Sequence, residues 1–429
     1  MSRVHPIRAC YLPPSQLSPL AGMAAVFERC AALGFSHAVI PSPFAGGDDV
    51  LAARLGDPTR LGAAWNWTGT AREGLARLAA DARKAGLELV IDLRLDEVEA
   101  TSPLVAAHPD CFRPRRSSDG PPPDPRQAPT APSAAVARFR SHPAALTDWW
   151  CGTLADWRDA GVAGFRCLWA QRVPAQAWRD LIAALAGDRG PEFWLWTPGL
   201  APAELDALAG CGFTAGFSSL AWWDFRSTWY VEEDARLGRL PTVIPVVDDP
   251  LQLAATTPAT RARALAFAAQ SGDSLFAVLP DAADMQADAA LREANDLLAD
   301  RGGAEAARRR TLRPVLGGST SAAAAWLVEP MAAAGPGPTP GTRLLLVNTD
   351  AEHVAMVDTR ALFRNAAAGG AFEACRPAGA PRIEPDCGLA LEPAEVRSYA
   401  ITPNPPVQRA RQPVDKGAAG PRVAVESVT

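Results

Sequence analysis

Through about its first 300 residues the chain alternates short β-like apolar runs with amphipathic helical runs, and that rhythm leaves few folds open. Arg8–Leu12 reads as a strand, Met23–Leu33 as a helix, and His37–Ile40 as a second strand closed by Pro41. Glu73–Ala85 has helical spacing, with Leu75, Leu78 and Ala79 on one face, and Leu87–Leu93 (LELVIDL) is a strand entered through Gly86 as a helix stop. Further along, Ala144–Ala160, Pro174–Leu185, Pro202–Ala209, Pro258–Ala269 and Met285–Leu298 read as helices. Between them Gly164–Leu168, Phe193–Trp196, Phe213–Phe217, Thr242–Val247 and Ser274–Val278 read as strands. About eight βα units in that length predict an α/β fold of the (β/α)8 TIM-barrel type. A doubly wound open sheet is the runner-up, but no Gly-rich phosphate turn follows any strand.

Two stretches break the rhythm. Residues 96–143 carry Pro114, Pro121, Pro122, Pro123, Pro125, Pro129 and Pro132, which argues against a helix or a central strand there and predicts an excursion after the third strand. After Arg310, short strand-like runs (Leu312–Val328, Thr342–Val347, His353–Val357, Arg397–Ile401) separated by Gly/Pro clusters predict a small antiparallel β domain. The expected organisation is a barrel over 1–305, a β domain over 306–402, and a Pro/Gly/Arg-rich linker with an orphan strand-like tail over 403–429.

Composition closes off several functions. A formal net charge of −5 argues against nucleic acid, which needs a basic patch. Lys84 and Lys416 are the only lysines; we read the Arg excess, with the many Ala and Pro residues, as nucleotide-composition bias. The five histidines show no metal-ligand spacing, so neither a metal nor another cofactor is expected. No run approaches a membrane span, no secretory h-region follows Met1, and eight scattered cysteines with no C-x-x-C pair read as buried thiols; a cytoplasmic protein is expected.

Taken in order, the strand ends resemble a known family. Leu87–Leu93, then Ser102-Pro103 and His108-Pro-Asp-Cys-Phe112, resemble the third-strand region and "HPEWF" segment of the α-1,4-glucan:maltose-1-phosphate maltosyltransferases, members of the α-amylase superfamily (glycoside hydrolase family 13). Gly161-Val-Ala-Gly-Phe-Arg166 looks like their fourth strand, G-V-R-I-F-R-V-D; Leu208–Thr214 looks like "LAKLGFTQ", and Trp222–Trp229 falls where they carry "FTWR…W". The similarity runs from about residue 8 to residue 400; its specificity lies in the order and spacing of these segments.

The resemblance also implies what is missing. Retaining glycosyl transfer needs one carboxylate to attack the anomeric carbon and a second to protonate the leaving group. The family's nucleophile lies two residues after the strand-four Arg, here Arg166, and that position holds Leu168. Cys167 beside it should point at the helices, because strand side chains alternate. The acid/base position falls on Trp196, or on Thr197 with the gap placed differently, while Glu192 stands at the wrong end of its strand and is expected to cap the loop. Of the third carboxylate, Asp248 and Asp249 remain, Asp249 being the better match. Asp92 matches an Asp that supports the site, and Arg166 is expected to pair with Asp92 or Asp249.

Thirteen Trp against three Tyr invite a sugar reading, since C–H faces of sugar rings stack on aromatic faces. Trp65, Trp67, Trp222 and Trp223 are the candidate glucan contacts; the competing reading is that they fill core or cover loops. Two functions stay open: a degenerate maltosyltransferase-like module that binds α-glucan or a maltose-type sugar, and an active glucan enzyme with relocated carboxylates drawn from Asp96, Asp224, Asp248 and Asp281. On the first, no two carboxyl groups should face each other within roughly 5–6 Å at the barrel mouth. Pro421–Thr429 resembles the opening strand of the N-terminal β domain of full maltosyltransferases, which leads us to expect an intact maltosyltransferase in frame or encoded nearby as partner.

Overall fold

Strand β1 (Arg8–Tyr11) pairs in parallel with β2 (His37–Ile40) on one side and with β8 (Leu275–Val278) on the other, so the two ends of the alternating region meet. In this computed structural model β3 (Glu88–Arg94), β4 (Gly164–Leu168), β5 (Glu192–Leu195), β6 (Ala215–Ser218) and β7 (Thr242–Pro245) complete one sheet in the order β7-β6-β5-β4-β3-β2-β1-β8. The ring closes where Val246 bridges Phe276 and the Val247 N–H donates to the Phe276 carbonyl at 2.8 Å. The structure describes residues 6–402 except 18, 46–52, 117–125, 127–133, 188–189, 251–256, 301–309, 319–320, 331–340, 367–370, 377–378 and 381. The expected linker and tail over 403–429 lie outside the described residues.

Eight helices follow the strands: α1 (Met23–Ala32), α2 (Ala71–Lys84), α3 (Pro143–Asp159), α4 (Ala175–Leu185), α5 (Pro202–Ala209), α6 (Trp229–Leu237), α7 (Pro258–Ser271) and α8 (Met285–Asp300). Helix α2 begins two residues before the expected Glu73, because Thr70 and Glu73 form a reciprocal capping box across its first turn. It stops at Gly86, whose φ of +83° suits a residue without Cβ. Along β1 the two-residue period sorts the core: Cys10 and Leu12 pack outward under the helices, Ala9 and Tyr11 inward with Trp194, Trp196, Phe217 and Phe276. The barrel interior is therefore an aromatic core.

The excursion after β3 is more ordered than its prolines predict. Glu97–Glu99, Ala134–Ala137 and Phe112–Pro114 form a three-stranded antiparallel sheet beside the barrel. A short helix, Pro103–Ala107, starts with proline in its first turn, where no N–H is missed, and the Ser102 hydroxyl accepts from Leu104 N–H at 3.4 Å. The expectation of no helix fails here because most of the prolines crowd positions 121–132 and leave the flanking segments free to pair.

Beyond residue 309 five strands, β9 (Arg310–Leu316), β10 (Ala323–Pro330), β11 (Arg343–Asn348), β12 (Ala371–Arg376) and β13 (Val396–Thr402), form an antiparallel sheet in the order β9-β10-β11-β13-β12. The single run Leu312–Val328 is thus two strands of a hairpin, and β12 gave no alternation to detect. The β domain packs on the barrel: Trp326 meets Trp223 at 5.0 Å between ring centroids, and Arg263 of α7 donates to the carbonyls of Asn348 and Thr349 at 3.2 and 2.7 Å. Among the described residues no helix is long and apolar enough to cross a membrane.

Candidate functional site

Asp92 on β3 and Arg166 on β4 are register partners, so neighbouring strands carry opposite charges to one level of the barrel. The guanidinium is bidentate on the carboxylate, Nε to Oδ1 at 2.6 Å and Nη2 to Oδ2 at 2.7 Å, and both residues are 3% exposed. The guanidinium carbon also lies 4.6, 4.9 and 5.1 Å from the ring centroids of Tyr11, Trp196 and Phe276. Burial pushes the Asp92 carboxyl up while Arg166 pulls it back; burial opposes the Arg166 charge, yet Asp92 holds it above the ordinary value. Of the two partners expected for Arg166, the structure selects Asp92.

Leu168, at the end of β4, is buried inside the barrel in one apolar cluster with Trp196, Trp169 and Phe217. Trp196 follows β5 and is likewise buried, its amide donating to the Cys167 carbonyl at 3.1 Å. Thr197, the alternative for the same position, donates its hydroxyl to the Phe217 carbonyl. Cys167 faces the helices as the alternation requires, and burial pushes its thiol well up, away from the reactive thiolate. Glu192 does not cap a loop: its carboxylate accepts from the Trp194 indole N–H at 2.6 Å. Two indoles two residues apart on one strand project to the same side, and the inner Trp194 takes that carboxylate.

Sequence reasoning passed over the residue after Leu168. Trp169 has left-handed backbone (φ 56°, ψ 28°), and its ring lies 5.3 Å from the Arg94 guanidinium and 4.0 Å from that of Arg172. Arg94 pairs with Asp96 and Glu97, both at 2.8 Å; Arg115 pairs with Glu97 at 3.0 Å; Arg172 reaches Asp96 at 3.3 Å and Glu97 at 3.4 Å. Asp96 and Glu97 thus share guanidinium partners just past the end of β3. Adjacent residues just past a strand end were brought round by common cationic partners, and the run Arg94-Leu-Asp-Glu97 was the available signal. Burial pushes Glu97 up, with Arg94 pulling it down and Asp96 pushing it further up.

Asp248 is a latch. Arg261 grips it through Nε and Nη2 at 2.8 and 2.9 Å, and it accepts the Val278 N–H at 2.9 Å, tying the end of β7 to α7 and β8. Asp249 beside it is buried. Asp224 is an exposed turn carboxylate accepting from Arg226 and Ser227 N–H groups, and Asp281 takes an amide N–H from Gln16 at 3.0 Å. Trp65 and Trp223 are buried in the outer core, Trp223 stacked on Tyr230 at 4.5 Å, so neither offers a free ring face. Trp67 and Trp222 are half-buried; Trp67 donates its indole N–H to the Thr70 carbonyl at 2.9 Å, and Trp222 meets Trp196 edge-on at 6.5 Å.

At the rim beyond β6, Glu233 of α6 accepts from Ser219 N–H at 2.8 Å and from its hydroxyl at 2.7 Å, and Asp234 beside it is pushed up to about 7 by burial and by Glu233. A carboxyl raised on folding holds a proton that the unfolded chain releases, so the native state loses stability as pH rises from the ordinary Asp range through 7. Asp234→Asn is expected to be more stable than the parent by about 1 kcal/mol or more at pH 8, the difference vanishing toward pH 4, in urea titrations at the two pH values.

No established family profile matches the chain. The α-1,4-glucan:maltose-1-phosphate maltosyltransferase of Burkholderia pseudomallei (strain K96243) is 36% identical over 235 residues, 54% of this chain. Those residues are 21% of that protein, so the chain spans about a fifth of the curated relative's length. The α-amylase of Geobacillus thermoleovorans superposes with a TM-score of 0.67 at 12% identity, covering 92% of this chain and 98% of the other. A maltogenic α-amylase of Thermotoga neapolitana gives 0.66 at 13%, covering 94% and 100%. The chain is maltosyltransferase-like in sequence, and its barrel and β domain have the fold of the α-amylases.

Proposed function

We propose that this protein is a catalytically silent maltosyltransferase-like barrel that binds α-glucan or supports an intact maltosyltransferase, in frame or encoded beside it. The observation that carries the reading is the composition of the mouth. At the positions that the resemblance assigns to the nucleophile and the acid, Leu168 and Trp196 lie in a buried aromatic cluster, and Arg166 and Asp92 are bonded to each other. Leu168 has no lone pair to form a glycosyl-enzyme, and an indole cannot protonate a leaving oxygen. Incubated with maltose-1-phosphate and a glucan acceptor, the protein should release no phosphate above a buffer blank, and it should be retarded in native gels containing glycogen. Turnover on the order of 1 s⁻¹, ordinary for an enzyme, would overturn the silent reading.

The active alternative has one observation in its favour, the convergence of Asp96 and Glu97. Both are buried and each is bonded to Arg94 and Arg172, so neither carboxylate is open to a sugar. If phosphate is released and Glu97→Gln abolishes the release, that pair is the relocated machinery.

A further inference from the structure

A cavity of about 440 Å³ opens beside the mouth, between the turn after β4 and helix α5, lined by Arg140, Gln171, Arg172, Val173, Pro174, Glu204 and Leu208 among others. It lies on the side of the barrel where strands end, the face on which barrel proteins bind ligands. Its shape depends on Trp169: the left-handed residue between Arg94 and Arg172 fixes the turn that puts Gln171, Arg172 and Val173 on the wall. A non-glycine residue held in that conformation is strained and persists where its surroundings over-determine it.

The polar wall is cationic. Arg172 shares Asp96 and Glu97 with Arg94 and Arg115, so two carboxylates serve three guanidiniums and neutralise them incompletely. Arg140 is exposed and also lines the cavity. The one carboxylate on the wall, Glu204, already accepts the Ala201 N–H at 2.8 Å as the cap of α5. Helix α4 starts at Ala175, on the wall, with no side-chain cap and no acidic residue in its first turn, which adds a positive dipole end to the two arginines. Val173, Pro174 and Leu208 supply an apolar side, and the volume falls in the range of small-molecule sites.

We infer that this cavity binds a small organic oxyanion, a phosphorylated or carboxylated molecule whose anionic group sits between Arg140 and Arg172 and whose carbon part rests on Pro174 and Leu208. Anion binding in this cavity is independent of glucan binding.

The test is calorimetric titration of the full chain with glucose 6-phosphate, citrate and glucose. At least one anion is expected to bind at submillimolar concentration and glucose not at all, and Arg140→Glu should weaken the anion about tenfold or more, the loss of one charge-assisted hydrogen bond. Arg140 is exposed, so Arg140→Glu should keep the parent's thermal midpoint and its retardation by glycogen. Arg172→Met should also lose the anion; because Arg172 belongs to the buried network, the exposed variant decides. Failure of both anions to bind, or equal binding by the parent and Arg140→Glu, would overturn the site; loss of glycogen retardation alone would overturn only the glucan reading.

Discussion

Arg166→Ala is expected to destabilise the protein by about 3–5 kcal/mol, the largest single-site effect in the barrel. The substitution leaves the buried Asp92 carboxyl without its cation, to be kept charged or protonated at a cost, and it empties the space bounded by Tyr11, Trp196 and Phe276. Removing both charges tests the cause. A double replacement, Arg166→Met with Asp92→Leu, deletes the pair without orphaning either member and should recover most of the loss, since buried ion pairs roughly break even against apolar substitutes of similar volume. Urea unfolding monitored by tryptophan fluorescence reads both. If Arg166→Ala costs less than about 1 kcal/mol, the pair is solvated and the mouth is open to water.

Most of the barrel could be read from the residues because its two periodicities are clean. Leu87–Leu93 sets Leu87, Leu89, Ile91 and Leu93 on one face and Glu88, Val90 and Asp92 on the other, and became β3; Thr70 and Glu73 announce the start of α2; Cys10 and Tyr11 divide between the two cores as alternation requires. The ion pair was legible for a different reason. An inward Arg on one strand must find a carboxylate, and Asp92 lay on the neighbouring strand. What could not be read was geometry set by several elements at once. Trp169 gives no propensity for left-handed backbone, and only the packing of Arg94 and Arg172 on its ring explains it. Trp65 and Trp223 likewise looked available as sugar platforms on loops, because a sequence does not show that α-helices and the β domain roof them over.

That distinction bears on whether lost chemistry can be put back. Leu168→Asp with Trp196→Glu restores carboxyl groups at the nucleophile and acid positions, and the expected result is a less stable protein with no turnover. The new Asp would enter an apolar cluster beside two arginines already engaged: Arg166 holds Asp92 through Nε and Nη2, and Arg94, the register neighbour of Leu168, pairs with Asp96 and Glu97. Replacing Trp196 removes one wall of the aromatic cage around that guanidinium and leaves a void where the indole packed, a change of the kind that costs about 3–5 kcal/mol. Burial should drive the introduced carboxyl groups to the protonated state, raising their pKa above the unfolded range. The sign follows: stability of the double variant should fall as pH rises, so its deficit against the parent is greater at pH 8 than at pH 5. Phosphate release from maltose-1-phosphate should stay at the blank. Measurable turnover in the double variant, absent from the parent, would show that the mouth admits a sugar and lacks only its two reacting groups. No turnover together with a pH-dependent deficit would show that the interior has been repacked around the loss, so that activity would require reopening the aromatic core as well as restoring the acids.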